Sequence, residues 1–128
     1  MYLVSHMTNK QESFDLVFAA LSDPTRRAIV MRLCREPASV SELSKPFAMA
    51  MPTLLQHVRV LETSGLIETE KIGRVRTCSL RAEVMARTEQ WLAMQRAAWE
   101  RRLDRMESYV NELHATETKN AKHKRKSK

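Results

Sequence analysis

The sequence predicts a mostly α-helical (α+β) domain of five helices with one two-stranded β-hairpin. Three observations predict it. The chain has only two Gly among 128 residues, too few for a fold built on tight strand turns or for a Gly-rich phosphate loop. Apolar residues recur at helical spacing along most of its length. Only the stretch from Leu66 to Leu80 breaks that period, alternating on either side of Gly73.

The first helix covers about Gln11 to Leu21, with Phe14, Val17, Phe18 and Leu21 on one apolar face. Asp23-Pro24 then supplies an N-cap followed by Pro in the first helical position, where its missing N–H costs nothing. The second helix runs from there to about Arg35, with Ile29, Val30, Leu33 and Cys34 inward, and ends at Glu36-Pro37. Ser39-Val40-Ser41-Glu42 is a capping box, so a short third helix spans about Val40 to Lys45 and stops before Pro46. The fourth starts at Pro52 and stops at Gly65. Helices three and four, joined by Pro46 to Met51, make a helix-turn-helix. The hairpin follows as Leu66 to Lys71, a turn at Ile72-Gly73-Arg74, and Val75 to Leu80. The whole is a winged helix-turn-helix.

The fifth helix covers about Ala82 to Leu113. Leu92, Trp99, Met106 and Leu113 repeat every seven residues, and Arg96, Leu103 and Val110 fill the intermediate positions. So long a seam predicts pairing with a second copy rather than burial within one small domain. Trp91 and Trp99 are expected as interface anchors, the alternative being a small-molecule pocket at that seam.

The resulting organisation is a disordered segment at residues 1–10, a winged-helix and dimerisation domain at 11–113, and a basic disordered tail at 114–128. Ser5-His6-Met7 has the form of a cloning remnant, which would make Met7 the native start. No signal peptide and no apolar run of about 18–20 residues is present, and two Cys make no disulfide framework. A cytoplasmic, reducing location is expected. Cys34 and Cys78 are read as two independent thiols, Cys34 buried and Cys78 in the wing; a redox pair is the alternative.

Net charge is +7, but residues 116–128 hold six Lys/Arg and one Glu, while the other 115 residues carry 16 basic and 14 acidic groups. Much of the basicity is therefore tail, and the informative charge is local. Arg59, Lys71, Arg74 and Arg76 surround the fourth helix and its hairpin.

A helix turns by about 100° per residue, which places Leu54, Val58 and Leu61 on the core side of the fourth helix. Opposite them fall Gln56, Arg59 and Thr63, with Thr53 and Leu55 flanking. Gln56 and Thr53 are expected near base edges and Arg59 nearer phosphate. His57 lies toward the core edge, which suits packing or a backbone bond, with a base contact as the alternative. In the wing, Arg74 at the tip is expected in the minor groove, and Lys71 and Arg76 on phosphates. The expected partner is double-stranded DNA. No enzyme signature appears: no nucleophile elbow, phosphate loop or paired acids.

Several runs together resemble the arsenic-repressor (ArsR) family of bacterial regulators. They are Phe18-Ala19-Ala20-Leu21-Ser22-Asp23-Pro24-Thr25-Arg26-Arg27, then Ser41-Glu42-Leu43, Pro52-Thr53, His57, Val60-Leu61-Glu62 and Ser64-Gly65-Leu66-Ile67. Trp99 to Met106 resembles the last helix of a metal-free branch. The resemblance covers about residues 12–113. It implies a homodimer whose first and fifth helices form the interface, with Phe14, Phe18, Leu92, Trp99, Leu103, Met106 and Val110 in it. It also implies a repressor on a pseudo-palindromic operator, its recognition helices entering successive major grooves about one helical turn apart or somewhat more. A redox- or ligand-switched repressor, and a winged-helix interaction module without DNA binding, are the alternatives.

Two positions depart from the family, which usually has Ser where Ala50 and Leu55 stand. Ala50 is a poor helix cap, and Leu55 can offer a base only an apolar contact, such as a thymine methyl. The family often senses metals, but the third helix has no Cys, and His6, His57, His114 and His123 are scattered. No metal or cofactor is expected. Arg26 and Arg27, at the start of the second helix, are candidates for either DNA backbone contact or a structural role.

Overall fold

The computed structural model describes residues 13–126. The expectations for residues 1–10 and for a helix start at Gln11 lie outside the described residues, as do residues 127 and 128.

Residues 13–21 form helix α1. Val17 and Ala20 are buried, Phe14 and Leu21 half-buried, and Phe18 exposed, so the expected apolar stripe divides between core and surface. Helix α2 is Pro24–Leu33, with the Asp23 carboxylate accepting from the Arg26 N–H at 3.0 Å as its N-cap. Ile29, Val30 and Leu33 are buried as expected. Cys34 is not: the helix ends at Leu33, Cys34 occupies the C-cap, and its side chain is exposed. Cys34 keeps helical φ/ψ and its N–H donates to the Val30 carbonyl at 3.0 Å, so its exposure does not come from a change of backbone direction.

A short strand, β1 (Ala38–Ser39), precedes helix α3 (Val40–Ser44). The Ser39 hydroxyl caps α3 by accepting from the Glu42 N–H at 3.1 Å, and donates to the Glu42 carboxylate at 3.2 Å. Helix α4 is Met51–Ser64, one residue earlier than Pro52, and it ends on Gly65 at φ +86°. Strands β2 (Ile67–Ile72) and β3 (Val75–Leu80) make the hairpin. Its loop is Gly73-Arg74, with Gly73 at φ +65° and no non-Gly residue at positive φ, the pattern of a two-residue turn with Gly first. Ile72 therefore belongs to the strand, and Leu66 precedes it.

The sheet has three antiparallel strands in the order β1-β3-β2, where the sequence had suggested two. Ala38 and Ser39 pair with Cys78 and Thr77. Two residues show no alternation, so this strand leaves no sequence pattern; the backbone pairing alone defines it.

The core joins Val17, Ile29, Leu33, Leu43, Leu54, Val58, Leu61, Leu66, Ile67, Cys78 and Val84. The end of α4 is sealed by polar bonds. The Ser64 hydroxyl donates to the Leu61 carbonyl at 2.6 Å and accepts from the Leu66 N–H at 3.2 Å. The Thr69 hydroxyl donates to the Glu62 carboxylate, bracing β2 against α4.

Helix α5 is Ala82–Lys126, well past the expected end near Leu113. No Gly or Pro follows Gly73 to stop it. Thr116 and Thr118 are poor helix formers, but their hydroxyls bond back to the Glu112 and His114 carbonyls at 2.9 Å. The helical backbone thus crosses the boundary at 114, where a disordered tail had been expected. The chain forms two compact units, Met1–Thr88 and Glu89–Lys128. The second unit has no core of its own. Of its described side chains all but Ala93 are exposed, including Leu92, Trp99, Leu103, Met106 and Val110. The Arg102 guanidinium lies over the Trp99 ring, 5.9 Å from its centroid. No described helix is long and apolar enough to cross a membrane.

Candidate nucleic-acid interface

Helix α4 sorts its faces as its period requires. Leu54, Val58 and Leu61 are buried, while Thr53, Leu55, Gln56 and Arg59 are exposed. Its N-cap, Ala50, makes no side-chain bond to the helix end. An exposed polar face backed by an apolar one is what a helix needs to lie in a groove while remaining attached to its domain.

The wing stands beside it. Lys71 and Arg76 are directly opposite each other in the β2–β3 ladder, and Arg74 occupies the second position of the turn. Successive strand residues face opposite sides, so Arg76 shares the face of buried Cys78. Near the sheet's root that face covers the core; near the tip it turns Lys71 and Arg76 toward α3 and α4. Together they line a cleft of about 600 Å³ with Arg74, Val75, Met51, Leu55 and residues 39–42.

Several cations of the first unit are held by the fold. Arg26 donates to the Ala19 and Ala20 carbonyls, Arg27 to the Leu21 carbonyl at 2.9 Å, and Arg32 to the Glu36 carbonyl at 3.1 Å. Arg32 also pairs with Glu42 at 3.5 Å, and Arg81 with Glu83 at 2.9 Å. Arg26 and Arg27 are therefore held by the fold itself. Among the described residues, Arg59, Lys71, Arg74 and Arg76 have no carboxylate within ion-pair distance. Two of these, Lys71 and Arg76, are like charges placed directly across a strand pair, an arrangement that costs stability until an anion joins them.

His57 is placed apart from the other α4 candidates. Its ring is half-buried, with Nδ1 3.2 Å from the Arg26 guanidinium and 3.8 Å from the Asp23 carboxylate. The Arg26 N–H holds the Asp23 carboxyl below the ordinary carboxylate range, and the Arg26 charge acts in the same direction.

Of the two thiols, Cys78 lies in the wing as expected, while Cys34 is not buried as expected. Cys34 is exposed, whereas Cys78 is buried in β3, and burial, reinforced by Glu62, pushes its thiol pKa up. The described residues contain no group of three His, Cys, Asp or Glu placed to hold a metal ion.

Sequence reasoning missed the contribution of Ser39, Ser41, Met51 and Val75 to the cleft. The capping box marks Ser39 as structural, and nothing in the sequence brings that helix start to the wing. The Arg26–His57 contact spans 31 residues and had no sequence signal.

A helix-turn-helix whose second long helix exposes polar side chains, next to a cationic hairpin, defines the class: a winged helix-turn-helix DNA-binding protein. A helix-turn-helix domain model matches residues 21–70. A solved ArsR family transcriptional regulator is 52% identical, with a TM-score of 0.68, covering 70% of this chain and 93% of that one. The HTH-type transcriptional regulator Rv2034 of Mycobacterium tuberculosis is 39% identical over 66 residues, which span 52% of this chain and 62% of that protein's length. The transcriptional repressor SdpR of Bacillus subtilis is 28% identical over 76 residues, or 59% of this chain and 84% of that protein. The chain belongs to the ArsR family of transcriptional regulators.

Proposed function

We propose that this protein is a repressor that binds a pseudo-palindromic operator as a homodimer, without metal or cofactor, in the cytoplasm. The observation that carries the reading is the set of four exposed cations, Arg59, Lys71, Arg74 and Arg76, that lack acidic partners and lie on α4 and the wing. Helix α4 enters the major groove with Thr53 and Gln56 at base edges, Leu55 offering an apolar contact and Arg59 meeting phosphate. Lys71 and Arg76 grip the phosphate strand between the grooves, and Arg74 reaches the minor groove. His57 supports α4 from behind rather than reading a base.

The dimer reading rests on the exposed apolar positions Leu92, Trp99, Leu103, Met106 and Val110, with exposed Phe18 and half-buried Phe14 on α1. That much exposed apolar surface at heptad spacing suits a second copy. Repression follows the description of the Bacillus relative as a repressor.

Footprinting on the DNA upstream of the protein's own gene tests this. Two protected half-sites about one helical turn apart are expected. A single protected half-site, with the protein sedimenting as a monomer, would overturn the dimer reading.

A further inference from the structure

Arg26 joins three elements, through its guanidinium and its backbone N–H. Its backbone N–H donates to Asp23 Oδ2 at 3.0 Å, and its Nε–H donates to the Ala20 carbonyl at 2.7 Å. Nη2 donates to the Ala19 carbonyl at 3.2 Å, and Nη1 lies 3.2 Å from His57 Nδ1. Ala19 and Ala20 are in the last turn of α1, where carbonyls lack partners within the helix; the Ala19 carbonyl also accepts from the Ser22 N–H and hydroxyl, at 3.2 and 2.6 Å. One guanidinium therefore caps α1 and holds α4.

The chemistry of the fourth contact fixes a proton. A guanidinium has donors only, so Nδ1 must accept, and the neutral ring carries its proton on Nε2. The bond also supplies something the rest of the α4 seat lacks. Leu54, Val58 and Leu61 hold the helix by apolar packing, which resists separation but has little directional preference. The Arg26–His57 bond is directional, and His57 lies one residue from Gln56 and one turn from Thr53. Fixing the ring fixes the rotation of α4, and with it the aim of both side chains.

Resting on the DNA-binding reading above, we propose that Arg26 is a positioning residue: through His57 it sets the rotation of the recognition helix, so that discrimination between DNA sequences, more than total affinity, depends on it. The backbone-gripping cations lie elsewhere, on the wing and at Arg59, and tolerate a small rotation. Base-edge hydrogen bonds do not.

The test compares binding to a DNA selected from a random pool by the wild-type protein with binding to its scrambled sequence. The variants are Arg26→Met, His57→Ala, the pair together, and His57→Asn, whose amide oxygen keeps an acceptor near the Nδ1 position. All are measured below the melting temperature of the least stable. Each single loss should lower the specific-to-scrambled ratio by about tenfold, the double no further than either single, and His57→Asn should recover most of it. In the wild type, ring nitrogen NMR should show the Nε2–H tautomer of His57, and Arg26→Met should lose that preference. If Arg26→Met does not fold, the His57→Ala and His57→Asn pair with the tautomer measurement decides. Additive losses, or an unchanged ratio in His57→Ala, would overturn the positioning role while leaving the regulator reading intact. A wild-type protein that selects no sequence would overturn both.

Discussion

Lys71 and Arg76 face each other directly across the wing, two positive side chains in one cross-strand pair. A hairpin chosen for stability would place opposite charges or an aromatic there. Lys71→Thr should therefore stabilise the fold by roughly 0.2–1 kcal/mol while weakening DNA binding. The slope of log affinity against log salt should shrink by about one phosphate contact. Urea unfolding beside a salt titration measures both. A variant that loses stability and keeps its salt slope would show that the pair serves the fold instead.

Ala50 leaves the α4 N-terminus without a side-chain acceptor. Ala50→Ser should stabilise the protein by about 0.5 kcal/mol, the low end for a cap, because Pro52 has no N–H to offer and the Thr53 N–H that a Ser hydroxyl can reach already donates to the Ala50 carbonyl at 3.1 Å. The shift in urea midpoint at constant slope reads it directly.

The thiols should report their environments. Cys34 is exposed and should react with an aromatic disulfide reagent at once. Cys78 is buried with its pKa raised, so its thiolate is scarce and shielded, and it should react only on unfolding. Rapid modification of both in native protein would contradict this and restore the idea of a paired redox site.

Asp23 links stability to acid. Its folded pKa is depressed, so its contribution is present above the unfolded value near 3.8 and is lost as pH falls through the folded value. Asp23→Asn keeps a cap acceptor but cannot be titrated. Wild type should therefore lose more stability than Asp23→Asn between neutral pH and pH values below 3.8. Equal acid sensitivity of the two proteins would show that the carboxylate's cap and charge do not matter.

Local chemistry made most of the fold legible. Asp23-Pro24, the Ser39–Glu42 box and Gly65 mark helix ends through bonds between near neighbours, and all three sit in those roles. The faces of α4 followed from its period because core packing and helix geometry agree there. What escaped depended on distant contacts or on small margins. The strand Ala38–Ser39 exists only through Cys78 and Thr77. Cys34, at the C-cap of α2, is exposed although its helical backbone and its spacing from Val30 match an inward position. Arg26 reads as either surface or structure until Ala19, Ala20 and His57 are brought around it. Within the interface, residue types pointed to Gln56, Arg59 and the wing cations, but the cleft that gathers Lys71, Arg74 and Arg76 with Leu55 required the folded hairpin.

The most direct test of the central claim is an anisotropy titration at near-physiological salt. It compares DNA from upstream of the protein's own gene with its scrambled sequence, using the full chain, a version ending at Ala115, and the double variant Arg59→Ala/Arg74→Ala. The account predicts a sequence preference that survives removal of the basic end and is lost in the double variant. Equal, salt-labile binding to both DNAs that disappears with residues 116–128 would contradict it.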